Sequence, residues 1–245
     1  MSLRNAPRSF FPPNFLIGVL VGTAAAAFGA DSAPKPTPPA APIAAPAKPA
    51  AKPAVDEEAR TALRKAVAFH RQAKDISFKF RAEVYNADLD KSEKYDGRLL
   101  LKDSTRFRLE IPGGSYVSDG KDFWEYHAKN KQVVIRAAQD LKDQPLPGDV
   151  LLRFLDSDPI SVARTRSEGK EYLELRLDPA RAMKNLDSLS VLLDRKDYSV
   201  RSISSRDVSG NESKYTLLSV KRNAGIKDKE FGFSPPKGTE IVDMR

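Results

Sequence analysis

The sequence predicts an α+β protein that is mainly antiparallel β: an incomplete (half) β-barrel of about eleven strands, covered by an N-terminal amphipathic helix and short lid helices. Three observations carry this reading. One stretch starting near residue 56 has apolar residues at helical spacing. The pattern then switches to period two and holds that period, run after run, almost to the C-terminus. Hairpin signals separate the runs, with none of the β-α-β alternation of a dinucleotide-binding fold.

The helix comes first. Asp56 can cap it, and Glu57 and Glu58 suit its positive end. Ala59, Ala62, Leu63, Ala66, His70 and Ala73 share one face, and Arg60, Arg64, Lys65, Arg71 and Gln72 fall elsewhere. About five turns of helix follow from this spacing, with a face that needs a surface to lie on. Next, Phe78, Phe80, Ala82 and Val84 alternate with charged residues, as do Phe107, Leu109 and Ile111, and later Leu173, Leu175 and Leu177. Further strands are expected at 94–102, 115–118, 122–127, 132–136, 161–167, 188–194, 199–206 and 212–222. Pro112-Gly113-Gly114, Asp119-Gly120 and Ser209-Gly210-Asn211 read as hairpin turns. Asp149 to Leu155 and residues 179 to 186 read as short helices. A sheet that is greasy on one face must cover that face, and so few helices can do so only if the sheet curls around them.

Residues 1–30 have the layout of a secretory signal peptide: Arg4 and Arg8, the uncharged run Phe15 to Phe28, then small residues at Ala25, Ala27, Gly29 and Ala30. The run is short for a membrane span, which needs roughly 20 apolar residues. Residues 31–55 are almost all Ala, Pro and Lys, with prolines at 34, 36, 38, 39, 42, 46, 49 and 53. Such a stretch favours extended polyproline-like conformations and reads as a disordered linker. The globular domain is expected to occupy 56–245.

Composition excludes several functions. There is no cysteine, so the chain is not itself a lipoprotein, holds no disulfide and has no thiolate metal site. The formal charge is +8, of which +4 falls on residues 56–245. That excess is too thin for nucleic acid, which asks for a basic stripe and stacking aromatics. The two histidines, His70 and His127, bear no metal-ligand spacing. His70 lies on the apolar helix face and reads as a hydrogen-bonded core histidine; His127 ends a strand and reads as exposed. No Gly-x-Ser-x-Gly elbow or phosphate-cradling loop is present. Ser118, Asp119 and His127 point apart on a strand and its turn, and the acidic residues scatter at outward parity. No metal, cofactor or enzymatic activity is implied.

Three stretches, in order, carry a resemblance to a known family. Gly97 to Ile111 (GRLLLKDSTRFRLEI) ends on Arg106-Phe107-Arg108; Tyr116 to Arg136 (YVSDGKDFWEYHAKNKQVVIR) holds a Val-Ser-Asp-Gly, x-Trp-x-Tyr and Gln-Val pattern; Phe231 to Asp243 (FGFSPPKGTEIVD) has a Phe-x-Phe-x-Pro-Pro-x-Gly ending. Together they resemble the outer-membrane lipoprotein carrier (LolA) family across 56–245. The resemblance implies a half-barrel with a helical lid over a hydrophobic cavity. The cargo would be lipoprotein acyl chains, accepted from an inner-membrane lipoprotein-releasing transporter and carried through the periplasm of a Gram-negative type envelope to an outer-membrane acceptor. The carrier would act as a monomer.

On that resemblance, the cavity would be lined by Phe78, Phe80, Leu99, Leu101, Phe107 and Leu109, with Trp124 and Tyr126 joining them from the fifth strand. Leu63, Val67, Leu151, Leu152, Phe154 and Leu155 would form the lid. The family's Arg-Pro corner after the second strand is replaced by Asp103-Ser104, so the gating arginine has no counterpart there. An alternative on the same half-barrel is a periplasmic lipid-sensing regulatory or scaffold protein.

Overall fold

The computed structural model describes residues 57–103, 105–141, 157–179 and 185–245. Helix α1 (Glu57–Arg71) opens with Glu57 and Glu58 and closes with Arg71, charges that suit its two ends. It buries Ala59, Ala62, Leu63, Ala66 and His70, the face its spacing predicts. It is a turn shorter than expected, because Asp75 already begins a strand.

Twelve strands follow: β1 (Asp75–Asn86), β2 (Lys91–Lys102), β3 (Arg106–Ile111), β4 (Gly114–Asp119), β5 (Asp122–His127), β6 (Gln132–Ala137), β7 (Pro159–Ser167), β8 (Lys170–Leu177), β9 (Leu186–Asp194), β10 (Val200–Asp207), β11 (Glu212–Arg222) and β12 (Glu240–Asp243). They make one open sheet in the order β12-β6-β5-β4-β3-β2-β1-β11-β10-β9-β8-β7. Every pair is antiparallel except β12 on β6, which is parallel. The first eleven coincide with the runs of period two. The twelfth, four residues long, is additional and covers the free edge of β6.

Register decides which residues share a face. Phe78 lies opposite Leu99, Leu101 opposite Phe107, Leu109 opposite Tyr116, and Ser118 opposite Phe123. In the other direction Ala82 lies opposite Tyr215, Tyr215 opposite Ile203, Ile203 opposite Val191, and Val191 opposite Leu175. All these residues therefore belong to one apolar face that runs from β5 to β8. α1 lies on it, packing Ala59, Ala62, Leu63 and Ala66 against leucines and valines of β8, β9 and β10. Small alanines let the helix axis come close to the sheet. The remaining half of the face, over β1–β5, forms a second cluster rich in aromatic rings.

The opposite face is polar along β1 and β2, where Arg81 meets Asp96 at 2.8 Å and Lys94 meets Glu83 at 2.9 Å. It becomes apolar only under the C-terminal segment. There a 3-10 turn, Asp228–Phe231, lies against β3 and β4 with Phe231 fully buried. The segment is pinned where it leaves β11, because the Asp75 carboxylate accepts the backbone N–H groups of Ala224, Gly225 and Ile226. The expected lid helix at 149–155, with Leu151, Leu152, Phe154 and Leu155, lies outside the described residues, as do 180–184 and the segments expected to be signal peptide and linker.

One close approach in the centre of the sheet is testable. Gly97 on β2 faces Phe80 on β1, and a Cβ at Gly97 would sit 2.4 Å from the Phe80 Cζ atom. Phe80 is buried, so its ring has little room to retreat. Gly97→Ala should therefore cost about 1–3 kcal/mol of stability, measured by urea unfolding. Phe80→Leu should relieve part of that cost in a double-mutant cycle; strictly additive losses would show that the ring does not meet position 97.

Candidate functional site

The half of the apolar face not under α1 is built from the centre of the sheet. β1 supplies Phe78 and Phe80, β2 supplies Leu99 and Leu101, β3 supplies Phe107 and Leu109, β4 supplies Tyr116, β5 supplies Phe123, and β11 supplies Tyr215. The Phe107 and Phe123 ring centroids are 6.0 Å apart, and Phe80 meets Tyr215 edge-on at 6.1 Å. Phe78, Phe80, Leu99, Phe107 and Leu109 are at most 7 % exposed, so the face is closed in this structure rather than an open cleft. Leu101 is half-buried against the same cluster.

The expected lining residues divide. Phe78, Phe80, Leu99, Leu101, Phe107 and Leu109 come together on the apolar face. Trp124 and Tyr126 do not join them. Trp124 lies opposite Val117 on β4 and Ile135 on β6, and Val117 in turn lies opposite Arg108. That parity puts both rings on the other side of the sheet, under the C-terminal segment, where Tyr126 packs against Phe233 at 5.6 Å. The turn Asp119-Gly120-Lys121-Asp122 sets this register: Gly120 has φ +93°, and Asp119 accepts the N–H groups of Lys121 and Asp122. The residues of β5 that face the apolar side are Phe123, Glu125 and His127. β5 carries aromatic rings at both parities, so period two alone could not choose between them. Leu63 and Val67 of α1 pack onto β7–β10 instead of the aromatic half.

One acidic residue breaks the outward parity of the rest. Glu125 is 1 % exposed on the apolar face, between Tyr116 on β4 and Val134 on β6. His127 Nε2 is 3.1 Å from one carboxylate oxygen and Arg136 is 3.9 Å from the other, but neither oxygen accepts a well-directed hydrogen bond. Burial pushes this carboxyl above the usual carboxylate range, against the pull of His127 and Arg136. His127, expected to be exposed, is mostly covered and meets the Tyr116 ring edge-on. The opposite face carries surface hollows of about 620 Å³, bounded by Glu83, Lys94, Ser190 and Ser204 among others, and about 710 Å³, bounded largely by Lys79, Arg98, Lys221, Lys227 and Lys229. Charged and hydroxyl-bearing residues make up most of the lining of both.

Comparison with known proteins bears on what such a sheet is for. Residues 71–234 match the family described as outer membrane lipoprotein carrier protein LolA. The chain belongs to the LolA family. It is 30 % identical over 174 residues to the outer-membrane lipoprotein carrier protein of Aeromonas salmonicida, covering 69 % of this chain and 83 % of that one. It is 25 % identical over 187 residues to that of Pectobacterium carotovorum subsp. carotovorum, covering 75 % and 85 %. An uncharacterized conserved protein from Thermus thermophilus has a similar fold, with a TM-score of 0.50 at 13 % identity over 76 % of this chain and 99 % of that chain. The family and both of these relatives are described as lipoprotein carriers, and an open sheet with a helix on its apolar face is the arrangement seen here.

The corner that resembles the LolA family's Arg-Pro position is built differently. Asp103 has φ +54° and accepts the backbone N–H groups of Thr105 and Arg106. Arg106 grips it in return and also reaches Asp228 at 2.8 Å, which Lys102 meets at 2.6 Å. This corner thus ties the sheet to the C-terminal segment on the face away from α1.

His70 lies where α1 meets the aromatic half. It is buried as expected but, contrary to expectation, neither ring nitrogen has a hydrogen-bond partner. Its neighbours are rings, Phe69 at 5.2 Å and Phe78 at 6.1 Å, which offer no acceptor. Burial, with the Arg222 guanidinium nearby and Asp197 opposing, pulls its pKa down from 6.5 to about 4. The folded protein therefore keeps His70 neutral where the unfolded chain takes up a proton. Its contribution should be intact above pH 6.5 and fall away as the pH drops toward 4, a loss of about 3 kcal/mol. His70→Leu should flatten that part of the pH dependence of thermal stability; parallel curves for the two proteins would refute a neutral His70.

Proposed function

We propose that this protein is exported to the periplasm of a Gram-negative type envelope, binds the acyl chains of lipoproteins on the apolar face of its sheet, and carries them from the inner to the outer membrane. Residues 1–30 serve as the signal peptide and 31–55 as a linker. The observation that carries the reading is LolA-family membership joined to a single apolar face whose aromatic half extends beyond α1. Phe78, Phe80, Leu99, Leu101, Phe107 and Leu109 are the lining, with Phe123 added and Trp124 and Tyr126 removed.

The physics sets what the face must do. Each methylene buried is worth about 0.8 kcal/mol, so two or three acyl chains hold a lipoprotein in its membrane almost irreversibly. A carrier must match that with its own apolar surface and then release it. A closed aromatic face meets both needs. Uncovering it costs free energy, which lowers net affinity, while ring faces supply large contact areas once a chain is in place. The inner-membrane transporter supplies the cargo and an outer-membrane acceptor takes it.

The test is transfer. Purified protein is incubated with energised inner-membrane vesicles that hold labelled lipoproteins and the releasing transporter. A soluble lipoprotein complex is expected, and it should hand its label to outer-membrane vesicles. Label that stays in the vesicles, where an established carrier of the family removes it, would overturn the reading. A second measurement locates the site. Trp124, the single tryptophan, is on the far face, so a lipopeptide with brominated acyl chains should leave its emission nearly unchanged. The double variant Trp124→Phe/Leu101→Trp should be quenched. Quenching of Trp124 but not of the new Trp at position 101 would assign the chains to the wrong side of the sheet.

A further inference from the structure

The apolar face contains one group that folding alone does not explain. Glu125 is 1 % exposed, projects from the centre of β5 among Leu109, Tyr116 and Phe123, and leaves both carboxylate oxygens without a well-directed hydrogen bond. It caps no helix and closes no turn. A leucine or methionine of similar volume would fill the position without the desolvation cost, and buried ion pairs are often less stable than such apolar replacements. Buried polar groups in folded proteins nearly always have well-directed hydrogen bonds, and a carboxylate held only by two ion-pair contacts has acceptor capacity to spare.

Glu125 is not isolated chemically. His127 Nε2 lies 3.1 Å from Oε1, with its side chain 22 % exposed, and Arg136 Nη2 lies 3.9 Å from Oε2, with its side chain 17 % exposed. The two flank Glu125 from opposite ends: His127 is two residues further along β5, and Arg136 lies on β6 opposite Phe123, while Phe107 lies two strands toward the centre of the sheet. An acceptor therefore stands between two donors, beside the rings of Phe107 and Phe123. An acyl chain is apolar along its length but ends at an amide or ester that needs hydrogen bonds when it leaves water.

We infer that Glu125, with His127 and Arg136, forms a subsite for the polar linkage of an acylated ligand, Glu125 accepting from an amide N–H and Arg136 and His127 donating to acyl carbonyls while the hydrocarbon lies on Phe107, Leu109 and Phe123. This rests on the acyl-chain reading above and adds to it. The subsite makes the face selective for lipid with an acyl-amide and ester end over plain hydrocarbon. It also keeps a polar group in the core at the expense of stability.

The experiment compares wild-type protein with Glu125→Leu and Glu125→Gln against two probes, a naphthylamine dye that reports only apolar contact and a tripalmitoylated cysteinyl peptide. Wild type should bind both. Glu125→Leu should bind the dye within about twofold of wild type, lose about tenfold in peptide affinity, and melt at a higher temperature. Glu125→Gln, which keeps an acceptor, should recover part of the peptide affinity. A lowered melting temperature with unchanged peptide binding in Glu125→Leu would make Glu125 a structural residue and overturn the subsite, as would equal losses for dye and peptide. Failure of wild type to bind even the dye would instead remove the acyl-chain reading, and this subsite with it.

Discussion

The ladder between β1 and β11 is the constraint on which everything else depends. The chain lays down β1 to β6 outward in one direction, then returns through β7 to β11, and only the pairing of Ile76 with Arg222 through Tyr85 with Glu212 joins the two halves of the sheet. Without it there would be two small sheets, each with an exposed greasy face. With it, Leu217 touches both clusters and the apolar face is continuous across the join. Ala82 opposite Tyr215 matters here, because a small residue beside a large one lets the two halves meet without a ridge. The Asp75 carboxylate adds a second tie at the same place by holding the chain as it leaves β11.

The two halves of the face are made for different neighbours. Under α1 the sheet offers Leu and Val, and the helix answers with alanines, a contact of branched aliphatic chains against a smooth surface. Over β1–β5 the sheet offers rings. Rings keep few rotamers and present broad flat area, so they lose little order when a partner is exchanged for another of the same polarity. His70 sits at the seam, and its ring contributes no hydrogen bond to either side. At this ring the helix meets the aromatic half through packing alone.

Much of this was legible in the sequence. The switch from period 3.6 to period two located α1 and eleven strands, because most of the strands have one wet and one dry face and the alternation records it. β12 was missed because four residues give too short a run, and its place is set by the edge of β6 more than by its own pattern. The face of β5 was misread for a sharper reason. Asp-Phe-Trp-Glu-Tyr-His has aromatic residues at both parities, so only the hairpin register at Asp119-Gly120 decides that Phe123 and Glu125 look one way and Trp124 and Tyr126 the other. The far-face cluster built by Phe231 was equally hidden, since it depends on a C-terminal segment folding back over β3 and β4. That Glu125 is buried follows from the same register, and nothing in the spacing of acidic residues announces it.

The two rims of the sheet are finished in different ways. At one, β12 runs parallel to β6 and uses up the backbone groups that would otherwise face water. At the other, no strand among the described residues lies outside β7, yet it starts with a proline, sets Arg164 and Arg166 along its exposed length, and is braced to the helix through a bidentate contact between Arg164 and Glu58. An unpaired strand invites a stray chain to add itself, and fixed positive charge with a proline at the lip discourages that. A protein that must open a hydrophobic surface in solution is most at risk of sticking to its own copies. If the face is uncovered, as the carrier proposal requires, the charged rim discourages the backbone beside it from serving as a template for assembly.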